Sequence, residues 1–436
     1  MSENNASTVR TLVFKSLSDE SSPDLMKNAD ARSRRQAREY INGITRQKRW
    51  LDHIIDASYS GSRKLDSCVR IVLQIGCYDL LFLSTPHYAA INDAVNLART
   101  ECGPKVTGLV NAVLRRLQRD GPPAPQTGSG VSDLGVRYSH PDWMVSRWID
   151  QFGRKQTEDL LAYNNDRPRH CIRVNSAKVK TDDVKAAVES LGVEIEPGQY
   201  LEGYFYCTVL QDLLSSSYFK DGWFTVQDES AGLVVDIADP QRGQTIIDLC
   251  SSPGGKTGYM LERVRGDCRM IAVDKSQARL DLVQSSVQRI GFPDVDYFTM
   301  DATLPDQVLT LPEADLLLID APCSGLGVLS KRADMRWKRS ERQIRDLVQL
   351  QDSLLDAAAL RVRQNGILVY STCTIEPTEN QDRVAAFLER NRDFVLDPVS
   401  LPRQAAKLVE DGMFRSLPHL HGIDGAFAAR MRKTSV

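Results

Sequence analysis

The sequence of 436 residues has no Cys-x-x-Cys pair, and its six histidines stand in no zinc-like spacing to its nine cysteines. A zinc ribbon or finger needs such paired ligands, so no structural metal is expected. The odd number of thiols argues against a disulfide framework, and disulfides are expected to be absent as well. Most of the cysteines should then be small buried hydrophobes. No uninterrupted apolar run approaches the roughly 20 residues that cross a bilayer, and Met1 to Asp30 holds no apolar signal core. The expectation is a cytosolic protein with no membrane partner. No stretch suggests a coiled coil or an exposed apolar interface, which makes a monomer the expected state.

The length is more than one hydrophobic core usually supports, since domains of roughly 100 to 200 residues are the norm. Net charge is only −2, but residues 1–120 hold 18 Lys and Arg against 13 Asp and Glu, a local +5 that leaves −7 for the rest. A basic front of this kind is consistent with an RNA-facing surface. From Val9 to Leu117 apolar residues recur at three and four spacing, as in Cys68 to Leu83, which predicts a compact helical domain over 1–120. Residues 121–135 (GPPAPQTGSGVSDLG) are rich in Pro, Gly and Ser, and are predicted to be a solvated, flexible linker. A small mixed α/β domain is predicted over 136–226, with helix in Tyr138 to Leu161, a strand at Cys171 to Asn175 and a helix at Asp182 to Leu191.

Over 227–436 short β-branched runs alternate with helical patterns, the mark of a parallel sheet covered on both faces. The runs begin at Thr245, Arg269, Val295, Asp315 and Gly366. Four end in or beside an acid: Asp248, Asp274, Asp301 and Asp320. In an open parallel sheet the carboxyl ends line one crevice, so these side chains are expected to converge. Each alone could simply cap the next helix. Between the first two lies Cys250-Ser251-Ser252-Pro253-Gly254-Gly255-Lys256, a tight loop whose glycines let a ligand approach the backbone. A phosphate-binding loop would need glycine where Cys250 stands, so an ATPase reading fails. Asp274 is placed for ribose hydroxyls and Asp301 for an adenine edge. With no cation set for a triphosphate, the pattern favours an adenosyl cofactor carrying an amino acid.

Cys323, in Asp320-Ala-Pro-Cys-Ser-Gly325, and Cys373, in Tyr370-Ser-Thr-Cys373, each follow a predicted strand end and face the same crevice. Two thiols over one cofactor suit cytosine chemistry. Carbon 5 becomes nucleophilic only once a thiolate adds to carbon 6, after which a base must remove the carbon 5 proton so that the thiol can leave. Asp320 could bond the ring's nitrogen 3 and exocyclic amine. Position alone lets either cysteine attack. The run Lys331 to Arg345 is dense in cations, and Lys331, Arg332, Arg336, Trp337, Lys338 and Arg339 are candidates for RNA contact, against the plainer reading of a solvated helix start capped by Ser340 and Gln343.

The motifs Asp248 to Thr257, Asp320 to Gly325 and Tyr370 to Cys373 with Glu379-Asn380 closely resemble the Nop/Sun family of RNA cytosine-5 methyltransferases. The front resembles a NusB-like domain through Ala89 to Val95 and Gly108 to Arg115, a pairing similar to the bacterial RsmB (Sun/Fmu) type. Arg173-Val-Asn175 and Leu417 to Gly425 are further matches. The resemblance implies an all-α NusB-like domain, a small α/β (RRM-like) domain and a Rossmann-like methyltransferase domain. It implies S-adenosyl-L-methionine as cofactor, held by Cys250 to Lys256, Asp274, Asp301 and Asp320. It makes Cys373 the nucleophile and Cys323 the residue that assists release, with small-subunit ribosomal RNA as substrate. Ser251-Ser252 stand where the family usually has two alanines, and Ala426 where it usually has an aromatic. Transfer RNA is the neighbouring alternative. A non-catalytic RNA-binding or antitermination factor would be expected to have lost one of the two cysteines or the glycine loop.

Overall fold

The computed structural model describes residues 3–18, 29–125 and 130–434, which divide into two compact units. The first comprises residues up to Asp166 together with Arg332–Lys338. Among its described residues it is helical, with helices at Glu3–Ser18, Ala31–Arg46, Lys48–Ser58, Ser67–Phe82, His87–Glu101, Thr107–Asp120, Gly130–Arg137 and Asp142–Tyr163. Asp30 and Asp66 start two of them by accepting backbone amides from Ser33 and Cys68. The apolar stripes meet in one core containing Val13, Ile44, Leu51, Ile55, Val72, Ile75 and Leu114. Beside it Arg10 and Asp79 form a buried ion pair at 2.8 Å.

Two expectations change here. Residues 130–135 are not tether, because Gly130–Arg137 is a helix with Leu134 and Val136 buried and Ser132 accepting from Arg49. Their apolar residues are few but correctly spaced; residues 126–129 of the expected linker lie outside the described residues. Helix Asp142–Tyr163 makes its contacts mainly within the helical unit. Finally, Cys68 and Cys102 form a disulfide. The start of helix Ser67–Phe82 and the end of the antiparallel helix His87–Glu101 bring their Cα atoms to 5.9 Å, within bridging range.

The second unit, Arg167–Lys331 with Arg339–Val436, holds two sheets. The smaller is antiparallel, in order β2-β3-β1-β4, from β1 (His170–Val174), β2 (Ile195–Pro197), β3 (Tyr204–Cys207) and β4 (Phe224–Val226). Helix Thr181–Ser190 covers it through Val184 and Val188. Two residues of β1 and its exit tie this sheet to the larger one. Arg173 is paired with Glu262, both buried, and its Nε donates to Gln227 Oε1 at 2.6 Å. Asn175 Nδ2 donates to the Ile290 carbonyl at 2.9 Å.

The larger sheet has parallel strands β5 (Thr245–Leu249), β6 (Arg269–Asp274), β7 (Asp296–Thr299), β8 (Ala314–Asp320) and β9 (Val362–Thr372), in spatial order β7-β6-β5-β8-β9. The chain runs outward from β5 to β6 and then returns to its other side at β8, which opens a crevice at the carboxyl ends of β5 and β8. Beyond β9 lie short strands absent from the sequence reading. They are β10 (Phe394–Leu396), β11 (Val409–Glu410), β12 (Met413–Ser416) and β13 (Ala426–Lys433), with β13 antiparallel to β9. Helices Gly255–Val264 and Gln277–Ile290 cover one face and helices Glu341–Ala359 and Gln381–Arg390 the other, giving the doubly wound α/β fold expected. Among the described residues no helix is long and apolar enough to cross a membrane.

Candidate active site at the carboxyl ends of the sheet

The glycine loop leaves β5 under tight local control. Cys250 has φ 63°, the Ser252–Pro253 peptide is cis, and Gly254 has φ 98° at the entrance to helix Gly255–Val264. A Cβ on Gly254 would also sit 3.1 Å from the Val283 Cα, so glycine is required twice over. Ser251 anchors the loop to β6 by donating both its amide and its hydroxyl to the Val273 carbonyl, at 2.9 and 3.1 Å.

The four acids stand where the strands end. Asp248 is fully buried; Thr257 donates to its Oδ2 at 2.6 Å while Oδ1 has no partner, and burial pushes its carboxyl up to about 7. Asp274 meets Arg279 at 3.2 Å and accepts the Ser276 amide. Asp301 meets Lys275 at 2.6 Å, and that charged hydrogen bond, helped by Thr303, brings its carboxyl down to about 2. Asp320 accepts from Lys256 at 2.6 Å and from the Ser371 hydroxyl at 3.0 Å. Carboxylates gathered at four strand ends, one of them with an orphaned buried oxygen, suit a ligand rich in donors. The ribose hydroxyls and amino group of S-adenosylmethionine fit that description.

Cys323 lies in the loop after β8 and Cys373 directly after β9, and their Sγ atoms are 3.3 Å apart. The two thiols are unequal. The hydrogen bond with Cys323 lowers the Cys373 thiol below the ordinary cysteine range, and Lys256 nearby adds to this. The same bond, with burial, raises the Cys323 thiol well above it. Cys373 is also the exposed member. Its carbonyl accepts the Gly327 amide at 3.1 Å, and Arg339 donates to the carbonyls of Cys323 and Ser324 at 3.2 and 2.9 Å, so both loops are pinned. Cys250, by contrast, is pushed up by burial and is unsuited to attack.

The cations after Cys323 divide into two groups. Arg332 and Lys338 are exposed, and Lys338 pairs with Asp334 at 3.2 Å. Arg336 is 0% exposed, donates to the Ser139 and Asn164 carbonyls and to Asn165 Oδ1, and is pushed down to about 9 by burial. Trp337 donates its indole N–H to the Thr45 carbonyl at 2.7 Å. Lys331 is clamped between Asp228 and Asp424 at 2.7 and 2.8 Å. For Arg336, removed from solvent, the expectation of RNA contact gives way to a structural role, while Lys331, Trp337 and Arg339 are partly buried and each donates to acceptors of the protein. The expected capping box of Ser340 and Gln343 is present. Sequence reasoning gave no role to Ser324, Gln351 or Glu379, which lie buried behind the cysteines. Glu379 stood in a quoted motif, but nothing local showed what it touches.

This sheet order, the glycine loop and the acids at the strand ends define an S-adenosylmethionine-dependent methyltransferase. Comparison with known proteins specifies it further. Residues 235–432 match the 16S rRNA methyltransferase RsmB/F family, residues 3–119 the NusB family, and residues 140–204 the ferredoxin-like domain of RsmF/B-like methyltransferases. A probable ribosomal RNA small subunit methyltransferase B of Synechocystis sp. is 34% identical over 92% of this chain and 91% of its own length. The corresponding Bacillus subtilis protein is 31% identical over 91% and 89%. The crystal structure of PH0851 superposes with a TM-score of 0.83 at 25% identity, covering 99% of both chains. That of NSun6 from Pyrococcus horikoshii with SFG shares the fold, with a TM-score of 0.59 at 21% identity over 67% of this chain and 97% of that one. The chain belongs to the RsmB/F family of 16S rRNA methyltransferases.

Proposed function

We propose that this protein transfers a methyl group from S-adenosylmethionine to carbon 5 of a cytosine in small-subunit ribosomal RNA, through a covalent bond between Cys373 and the base. The observation that carries this reading is the pair of thiols 3.3 Å apart at the crevice. Methylating an exocyclic amine or a ribose hydroxyl needs no thiol; carbon 5 of cytosine does.

Residues Cys250 to Lys256, with Asp274, Asp301 and Asp320, would hold the cofactor, whose sulfonium supplies an electrophilic methyl group. Cys373, exposed and favoured as thiolate, adds to carbon 6 of an unstacked cytosine. Asp320 accepts from the exocyclic amine, and the Lys256 ammonium on its Oδ2 is a proton donor close at hand for nitrogen 3 as the ring gains electron density. After methyl transfer a water molecule takes the carbon 5 proton, and the freed electron pair forms the double bond between carbons 5 and 6. The bond between carbon 6 and sulfur breaks with its pair returning to Cys373, and nitrogen 3 gives its proton back to Lys256. The Cys323 thiol, 3.3 Å from that sulfur, donates a hydrogen bond to the departing thiolate and stabilises it as it leaves. Arg332 and Lys338 are the exposed cations offered to the RNA backbone.

The test uses labelled S-adenosylmethionine with transcribed small-subunit ribosomal RNA and, separately, transfer RNA, followed by bisulfite sequencing. A single protected cytosine in the ribosomal RNA, lost in Cys373→Ala while cofactor still binds, is expected. Protection in transfer RNA alone would reassign the substrate, and methylation by Cys373→Ala would overturn the covalent route.

A further inference from the structure

Behind the reactive thiols lies a carboxylate that the reaction scheme does not use. Glu379 is 0% exposed, in the short helix Pro377–Glu379 that follows Cys373. Its Oε1 accepts the Ser324 amide at 2.8 Å and the Gln351 side-chain amide at 3.0 Å, while Oε2 accepts the Ser324 hydroxyl. Gln351 Nε2 also donates to the Pro322 carbonyl at 2.9 Å. The residues on both sides of Cys323 are therefore fastened to one carboxylate, Ser324 directly and Pro322 through Gln351. The Ser324 hydroxyl also lies 2.7 Å from Thr374 Oγ1, and Thr374 follows Cys373. The Glu379 carbonyl is itself fixed by the Tyr370 hydroxyl at 2.7 Å.

A carboxylate in such a place is costly. Burial pushes its carboxyl up, and the contacts that offset this are neutral donors, not a cation. If its only duty were packing, an apolar residue of the same volume would serve as well or better. A planar acceptor that takes donors from two directions does something an apolar residue cannot, which is to fix the peptides flanking Cys323 in one orientation.

We propose that Glu379 is a positioning residue for release: it holds the Cys323 loop so that the Cys323 thiol stays aligned on Cys373 Sγ. This rests on the reading that Cys323 assists release of Cys373 from the methylated base. The carboxylate touches neither substrate nor cofactor and acts only through Ser324, Gln351 and the loop they hold. Glu379→Gln keeps the shape but presents N–H groups where one oxygen accepted, turning an acceptor toward the Ser324 hydroxyl or Gln351 into a donor. The loop then shifts, and misplacement by about 1 Å at a reacting group is enough to slow a step by about 10²-fold.

The experiment follows three proteins with labelled S-adenosylmethionine and transcribed small-subunit ribosomal RNA. Wild type, Cys323→Ala and Glu379→Gln are compared for released methylated RNA and for protein–RNA adduct that survives denaturing electrophoresis. Alkylation of Cys373 reports that the nucleophile and its loop remain intact. In Glu379→Gln, release slowed by about 10²-fold with adduct accumulating, as in Cys323→Ala, is the expected result. Should Glu379→Gln fail to fold, Ser324→Ala, which removes only the hydroxyl arm, takes its place with the same expected adduct at a smaller excess. If Cys323→Ala accumulates adduct while the folded Glu379 or Ser324 variant does not, the positioning role falls and the release reading stands. If Cys323→Ala itself leaves no adduct, the release reading falls, and this inference with it.

Discussion

The Lys256 ammonium and Asp320 Oδ2 lie 2.6 Å apart, joining the first turn of helix Gly255–Val264 to the end of β8. The same cation helps to hold the Cys373 thiol low. In Lys256→Met that help is lost, so the thiolate forms at higher pH. The rate of Cys373 alkylation by iodoacetamide, read by mass spectrometry across pH, should rise along a curve displaced upward in pH from wild type. An undisplaced curve would show that the cation does not tune the Cys373 thiol.

Arg173 and Glu262 form an ion pair almost wholly removed from water, with the guanidinium 4.3 Å from the Tyr259 ring centre. Removing one partner leaves the other charge stranded, which typically costs about 3 to 5 kcal/mol. Arg173→Ala should lower unfolding stability by that amount in urea titrations of the full chain. Replacing both residues, as Arg173→Met with Glu262→Leu, should restore much of the loss. A single variant as stable as wild type would mean that the pair does not join the small sheet to the large one.

The Cys68–Cys102 disulfide closes a loop with a sequence separation of 34. Cross-linking a loop of that length restricts the unfolded chain by about 4 kcal/mol at 25 °C. Tris(2-carboxyethyl)phosphine should therefore lower the stability of wild type but not of Cys68→Ser. Intact mass after blocking free thiols should differ between reduced and unreduced wild type by the labels on two cysteines. Equal masses would mean that both sulfurs are free.

The parts of this molecule that were legible in the sequence are those whose signal is local. The strands β5 to β9 are β-branched runs between turns, and the glycine loop and two cysteines follow them at short range. Strands β10 and β11 have three and two residues, too few to show a period of two, and they form only because β13 and β12 are there to pair with them. The buried cation at Arg336 was misread for a related reason. A charged run is assumed to be solvated, whereas its acceptors are carbonyls and an amide at 139, 164 and 165, which no local pattern links to it. Glu379 was visible as a motif letter, but its partners lie 28 and 55 residues away.

Asp248 makes the active-site loop sensitive to pH in a direction opposite to most paired carboxylates. Its folded value of about 7 lies above the ordinary range near 4, with burial as the main cause. Between those values the folded protein keeps a proton that the unfolded chain has already lost. Protonation therefore favours the fold, and the contribution is complete below about pH 4 and lost as pH rises through about 7. Asp248→Asn keeps an acceptor for the Thr257 hydroxyl and has no charge to desolvate. Without cofactor, wild type and variant should have similar stability near pH 5, and the variant should gain an advantage of a few kcal/mol by pH 8. Asp424, also pushed up to about 7, titrates in both proteins and cancels in the difference. Urea titrations at intervals between pH 5 and 8 measure that difference directly; a constant offset across the range would show that Asp248 ionises normally beneath the loop.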